Sequence, residues 1–361
     1  MIVESQTSNN SSLIRAVNDV QKEWEKAMKN LKNINLLIVG RTSAGKSTLL
    51  NAFLGKDVAQ TGIGQVTSAV EPFTTGNLTV IDSPGDAIRY KEQIFNYIVK
   101  GFKSNNVNKF IHCIWYCINT NALYIDDEEI DFIKTIGKKS QSKSIPVIVI
   151  LCQSFDEDRA QQMKQNIESK KLKIKTIIPV LAKDYTLNRN TFPKKNLDEL
   201  TVETMKCIPE SIHKTLISIQ MVSIASKRKF AISVLVATSL AIGIIDHFDL
   251  CKMISKLLLP VEITSLMASI NAIYNIYTPE KVGLLAGVFI QFISSKIERL
   301  LKTGSANVLR FLNLMSYANS GFLILIIGGL YIFLVEKVIQ LSLNNSPISE
   351  AECKRILEEM L

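Results

Sequence analysis

Histidine is scarce, with three residues in 361. The six cysteines, Cys113, Cys117, Cys152, Cys207, Cys251 and Cys353, form no C-x-x-C pair. Zinc sites draw on clustered Cys and His, and disulfide frameworks on regularly spaced Cys, so neither is expected. Three of the cysteines sit inside apolar, strand-like runs, which reads as reduced, buried thiols in a cytosolic setting. No spacing pairs a cysteine with a histidine base. His112 and Cys113 are neighbours and would point to opposite faces of a strand. His112 therefore reads as a satisfied core or surface residue. No extended run interleaves Arg and Lys with aromatics, so nucleic acid is not an expected partner. Met1–Ser12 has no basic stretch followed by an apolar core. It is not expected to act as a secretory signal, and the N-terminal half is expected to be cytoplasmic. No uninterrupted apolar run reaches the roughly 20 residues of a spanning helix.

What is present is apolar material for a sizeable core, 47% of the chain, and a formal charge of +9 with pI about 9.1. The length suits two domains or one large one. The charge favours anionic partners such as nucleotides or acidic lipid headgroups; a lysine-rich solvated surface would give the same balance.

The most informative stretch is Gly40-Arg41-Thr42-Ser43-Ala44-Gly45-Lys46-Ser47-Thr48. Leu36, Leu37, Ile38 and Val39 run into it as a strand. Leu49, Leu50, Ala52 and Phe53 leave it at helical spacing. This is G-x-x-x-x-G-K-S in a strand–loop–helix context. The glycines let backbone N–H groups converge on a phosphate cluster, and the helix N-terminus adds partial positive charge. Lys46 can reach β- and γ-phosphates, and the Ser47 hydroxyl can ligate Mg²⁺. A chance glycine turn before a helix would lack this full pattern.

A second element, Thr79-Val80-Ile81-Asp82-Ser83-Pro84-Gly85, is a strand ending in D-x-x-G. Asp82 can support a Mg²⁺ ion and the Gly85 N–H can meet a γ-phosphate. D-x-x-G alone is often only a turn; paired with the glycine loop it gains weight. Between the two lies Gly62–Val70. Thr67 is the preferred third metal and γ-phosphate residue, with Thr61 and Ser68 as competitors.

The rest of the pattern places these motifs. Residues 1–12 read as disordered, and Leu13–Leu31 as an amphipathic helix. From 34 to about 190, strands at Ile34–Val39, Val70–Thr74, Leu78–Ile81, Phe110–Ile118, Ile145–Leu151 and Thr176–Leu181 alternate with helices. The helices fall near Lys46–Leu54, Ile88–Lys100, Asp127–Ile136 and Glu157–Ser169. Near-continuous apolar strands fit a mostly parallel sheet covered on both faces. A linker is expected around Thr186–Pro193. An all-α, hydrophobic part follows over 191–361, with helices from Asn196 to about Ser226 and a short amphipathic helix at Glu350–Leu361.

G-R-T-S-A-G-K-S-T-L-L-N-A-F-L-G, a threonine in a glycine loop and D-S-P-G together resemble the Era-like (TrmE-Era-EngA-type) P-loop GTPases. Ile111–Ile118 followed by Pro146–Leu151 is similar to a branch carrying a hydrophobic C-terminal helical domain of unknown function. The resemblance implies a Ras-like G domain over 34–190, GTP/GDP with Mg²⁺, and hydrolysis of GTP to GDP and phosphate. It implies phosphate contacts from Arg41, Thr42, Ser43, Ala44, Gly45, Lys46, Ser47 and Thr48, with Lys46, Thr67 and Gly85 at the reacting phosphate. Metal support would come from Ser47, Thr67 and Asp82. The family's base-reading N/T-K-x-D motif is irregular here. Either Cys152 and Gln153 hold the first two places and the acid falls one residue late, or Asp156 is the acid and Ser154 stands for lysine. Ala182 and Lys183 match the S-A-K loop, with Leu181 for its serine. Asp86 occupies the place of a Ras-type water-orienting glutamine. Arg41 could act as a finger in a homodimer through G domains; the passive reading, covering the nucleotide or facing solvent, is preferred. Slow basal turnover follows.

The C-terminal part has three marginal apolar stretches, Phe230–Ile245, Val282–Ile293 and Gly321–Val335, the first preceded by Lys227-Arg228-Lys229. They read either as membrane-inserting helices or as the buried helices of a soluble domain. The order of segments resembles the family's hydrophobic domain, which favours association of 230–335 with an anionic membrane surface. The leading expectation is a GTP-hydrolysing switch coupled to a helical membrane- or partner-binding domain. A weakly hydrolysing nucleotide-dependent scaffold is one alternative. A dynamin-like membrane remodeller with a stalk from 13–31 and 196–226 is the other.

Overall fold

A computed structural model describes residues 2–55, 57, 71–82, 88–103, 110–122, 124–141, 144–187, 189–247, 252–276, 278–303, 320–343 and 348–359. The chain divides into two compact units, one of residues 31–223 and one of residues 1–30 with 224–361.

Helix α1 spans Ile2–Lys29. It continues back through the polar residues expected to be disordered. Once the packed turns after Leu13 have nucleated a helix, each added residue costs little.

The 31–223 unit is built on a sheet. Strands β1 (Ile34–Gly40), β2 (Glu71–Thr75), β3 (Leu78–Asp82), β4 (Cys113–Asn119), β5 (Val147–Cys152) and β6 (Thr176–Val180) lie in the order β2-β3-β1-β4-β5-β6. Only β2 runs antiparallel to its neighbour; the other pairs are parallel. Helices α2 (Lys46–Leu54), α3 (Lys91–Lys103), α4 (Asp127–Gln141) and α5 (Glu157–Ser169) connect the strands. Alternate residues of each strand face opposite sides. Leu36 and Ile38 join Phe53, Trp115 and Leu200 in one core, and Leu37 and Val39 join Phe95, Tyr116 and Phe132 in the other. Both faces are covered, which is why the strands read as continuous apolar runs.

The expected linker near 186–193 is a two-stranded hairpin instead, β7 (Tyr185–Leu187) with β8 (Asn190–Phe192). Helices α6 (Leu197–Cys207) and α7 (His213–Ile219) then pack Leu197, Leu200, Leu216 and Ile219 into the sheet's first core. The unit therefore runs past the boundary expected near 190, because its core is incomplete without these helices. This also leaves 196–223 as short helices rather than an extended stalk. His112 behaves as a satisfied core residue. Its Nδ1 accepts the Asn35 N–H at 2.9 Å, and burial lowers its pKa.

The second unit is helical. With α1 it holds α8 (Ile224–His247), α9 (Lys252–Ile273), α10 (Pro279–Thr303), α11 (Ser320–Leu343) and α12 (Glu350–Glu359). Helix α1 packs on α9 and α10, and α8 packs on α9 and α11. Gly328 allows the α8–α11 approach, since a Cβ there would lie 2.4 Å from Leu235 Cδ1. Several buried polar groups are paired. Lys227, 1% exposed, donates to the Ile273 carbonyl at the end of α9. Glu336 takes a bidentate pair from Arg228 at 2.5–2.9 Å and a hydrogen bond from the Tyr274 hydroxyl. Asn271 and Tyr331 bond each other at 2.8 Å. Among the described residues, one helical stretch, Ile324–Ser342, is long and apolar enough to cross a membrane, and half of it is buried within the protein.

Phe53 is fully buried and meets Trp115 edge-on, with ring centroids 5.0 Å apart. Phe53→Ala should cost about 3–5 kcal/mol. Leu240→Ser, at a position 62% exposed, should change stability by no more than about 0.5 kcal/mol. Urea denaturation of both variants checks this contrast.

Candidate functional site

The site lies where β1 ends. Gly40 has φ 152°, and a Cβ on it would sit 2.3 Å from the Cys117 carbonyl oxygen of β4. Only glycine lets the chain leave the sheet there. Ser43 (φ 60°) and Gly45 (φ 91°) hold the left-handed conformations that curl the loop back. A Cβ on Gly45 would lie 3.1 Å from the Cys152 Cβ, so the loop also abuts the end of β5. The concave backbone between Gly40 and Lys46 has the form of an anion cradle and leads straight into the N-terminus of α2. Its residues thus fit a phosphate group.

Lys46 Nζ reaches back across the loop, donating to the carbonyls of Gly40 at 2.8 Å and Arg41 at 3.1 Å. Ser47 and Thr48 occupy the first turn of α2, beside Lys46. Asp82 is the last residue of β3 and pairs in register with Ile38. This sets Asp82 at the same sheet edge, next to the loop. Thr67, Gly85 and Asp86, and the competitors Thr61 and Ser68, lie outside the described residues.

Arg41 is held within its own unit. Its Nη2 contacts Asp126 Oδ2 at 2.5 Å, and its Nε lies 3.2 Å from Glu129 Oε2. Burial would lower the guanidinium pKa, but Glu129 and Asp126 outweigh it and leave it raised. Burial raises the Glu129 carboxyl, with Arg41 opposing. The Tyr116 hydroxyl donates to Glu129 at 3.3 Å. The sequence reading missed Asp126 and Glu129, because acidic residues in the first turn of α4 look like ordinary helix-start charges.

The other rim of the loop is polar. Asn119 Nδ2 and Gln153 Nε2 both donate to the Ser43 carbonyl, at 3.1 and 3.2 Å. Asn121 Nδ2 donates to Gln153 Oε1 at 3.1 Å. Gln153 thus occupies the position across the loop that the irregular motif left open. Ser154 is fully buried and donates to the Leu151 carbonyl at 2.6 Å, so it faces away from the loop. Asp156 caps α5, accepting the Arg159 N–H at 3.0 Å. Ala182 packs against the first core, and Lys183 follows it before the hairpin. Asn119 and Asn121 carry no sequence signal, since an Asn at or just past the end of an apolar strand reads as a turn residue.

A glycine loop between the central strand and its helix, with an acidic strand end beside it, defines a P-loop nucleotide-binding domain. Residues 35–154 match the 50S ribosome-binding GTPase family model, and this part of the chain has the P-loop GTPase fold. GTPase Era of Vibrio vulnificus (strain YJ016) is 25% identical over 185 residues, covering 49% of this chain and 52% of the relative. The tRNA modification GTPase MnmE of Petrotoga mobilis is 27% identical over 212 residues, covering 54% and 44%. The chain spans about half the length of the curated relatives it matches. Among solved structures, Aquifex aeolicus Era bound to GDP·AlF4⁻ is similar at 19% identity and TM-score 0.37, covering 50% of this chain and 58% of that one.

The Arg41 geometry makes a pH-dependent prediction. A carboxyl whose folded pKa is raised binds more protons folded than unfolded. Its contribution is retained below the unfolded value and lost as pH rises toward the folded one. Arg41→Ala removes the opposing cation and raises Glu129 further. The variant should be near wild-type stability at about pH 4 and lose about 1–2 kcal/mol by pH 7, a value discounted for Arg41's partial exposure. Chemical denaturation across that range measures it.

Proposed function

We propose that the protein is a GTP-binding switch that hydrolyses GTP to GDP and phosphate slowly, with its helical unit carrying the output to an anionic membrane surface. The observation that carries the reading is the glycine loop at the end of β1, with Lys46 lying across it and Asp82 at the adjoining strand end. The triphosphate would lie along the backbone N–H groups of 41–48. The Lys46 ammonium would trade the Gly40 and Arg41 carbonyls for β- and γ-phosphate oxygens, stabilising charge that shifts between them as the bond breaks. Ser47, Asp82 and Thr67 would hold Mg²⁺, which neutralises phosphate charge when bound. The Gly85 N–H would sense the γ-phosphate. Phosphoryl transfer to water needs a guide for the water, and Asp86 stands where a glutamine would serve. With Arg41 engaged by Asp126 and Glu129, basal turnover should be slow and raised by a second G domain or a surface.

Helices α8 and α11 support the membrane reading. Ile232, Val236 and Leu240 recur at four-residue spacing on α8 and are 41–62% exposed. Leu325, Ile326 and Phe333 on α11 are 37–46% exposed. Exposed Arg228, Lys229 and Lys337 flank these residues. Apolar side chains beside cations are what an acidic bilayer surface attracts. The cytoplasmic location is part of the same proposal.

Nucleotide binding by wild type and Lys46→Ala tests the site. Wild type should bind GTP and GDP, and Lys46→Ala should weaken binding by at least about 100-fold. Unchanged binding in the variant would remove Lys46 from the site. Flotation with phosphatidylserine vesicles tests the output. Wild type should float and Leu240→Asp/Phe333→Asp should not. Wild type that stays at the bottom with both GTP and GDP overturns the membrane reading.

A further inference from the structure

The nucleoside end of the site departs from a guanine-reading arrangement in a specific way. Strand β5 stops at Cys152, and Gln153 (φ 61°) turns across the phosphate loop, its amide bonding Ser43 and Asn121. The residue two places after Gln153 is Phe155. It is half-buried and stacks on Tyr185 of the hairpin, with centroids 4.6 Å apart and planes 21° apart. Phe192 leans on it at 5.8 Å.

Distinguishing guanine from hypoxanthine or adenine requires an acceptor for the N1 and N2 protons, which in practice means a free carboxylate. Three carboxylates of this corner hold other partners through at least one oxygen. Asp156 accepts from the Arg159 N–H as the cap of α5. Glu157 accepts from Lys195 Nζ at 2.7 Å. Asp184 accepts from the Lys194 N–H at 2.8 Å. Cys152, which faces Gly45, is a buried thiol; a hydrogen bond with Cys117 and then burial hold it protonated. An aromatic pair offers any purine the same apolar surface, since every base has a π-face.

We infer that Phe155, with Tyr185, reads the nucleobase by surface contact alone, so the site accepts GTP, ITP and ATP nearly equally and takes its selectivity from the phosphates. The inference rests on the nucleotide-binding reading above. Binding energy is then concentrated at the Gly40–Thr48 loop, and a purine lacking the 2-amino group loses little.

Displacement of a fluorescent GDP analogue by GTP, ITP and ATP, with Mg²⁺ and the full chain, tests it. The three should compete within about threefold of one another, because no buried partner is left unpaired by any of them. Phe155→Asp should install an acceptor and create a preference for GTP over ITP of about tenfold or more. Tyr185→Ala, more exposed and safer for folding, should weaken all three by a similar factor. Wild type that prefers GTP to ITP by about 100-fold overturns the inference while leaving nucleotide binding intact. A Tyr185→Ala variant that changes the GTP-to-ITP ratio also overturns it. If no nucleotide displaces the probe and Lys46→Ala binds the probe like wild type, the nucleotide-binding reading itself falls, and this inference with it.

Discussion

The contact between Gly40 and the Cys117 carbonyl sets the rest of the 31–223 unit. β1 and β4 are parallel neighbours, paired up to Gly40 and Cys117. At that point the chain must leave the sheet within van der Waals distance of a backbone oxygen. With the Cβ position 2.3 Å from that oxygen, any side chain would force the strands apart. The close fit also fixes what surrounds the loop. The end of β4 presents Asn119, and the end of β5 presents Gln153, to the same Ser43 carbonyl. Two side-chain amides from two strands thus tie the loop's crown to the sheet edge. A phosphate cradle is useful only if its N–H groups are aimed before the anion arrives, and this lattice of short bonds supplies the aim.

Much of this was legible in the sequence. Periodicity located the six strands to within three residues at each end, because the central strands β1, β4 and β5 are apolar on both faces and the strands are bounded by polar turns. The G-x-x-x-x-G-K-S stretch announced both its shape and its use, since glycines at those positions answer a backbone need. The hairpin at 185–192 was not legible. Tyr185, Thr186 and Leu187 are too few to show a period, and their partners Asn190, Thr191 and Phe192 lie across a turn without an Asn-Gly or Gly-Gly signature. The unit boundary was missed for a related reason. Helices α6 and α7 run on in sequence into the apolar helices beyond Ser223, and an apolar helical pattern states that a surface is buried without stating against what.

The helical unit shows the same limit from the other side. An apolar stretch such as Gly321–Val335 reads alike in a bilayer and in a helix bundle. The structure sorts the residues that the sequence could only count. Ile324, Tyr331, Leu334 and Val335 are buried, while Leu325, Ile326 and Phe333 are exposed. Glu336 sits in the same helix with Arg228 and Tyr274 both on its carboxylate. A carboxylate satisfied twice over is consistent with a fixed packing of α8, α9 and α11, because separating the helices would strand its charge. The exposed apolar residues therefore belong to a bundle with a defined inner face, and any surface they meet is met by the outer one.

The two ends of the nucleotide site carry different kinds of constraint. At the phosphate end the backbone does the recognising, so the residue types are those the geometry permits: Gly40, Gly45, and Ser43 held at positive φ. At the opposite end the loop is bounded by side chains rather than backbone. Phe155 can stand beside Gln153 because its ring finds Tyr185 and Phe192, and the carboxylate one residue later serves α5. The one-residue offset that looks like a motif out of frame is thus a division of labour: Asp156 starts a helix, Gln153 braces the loop, and Phe155 packs on the hairpin's aromatic rings.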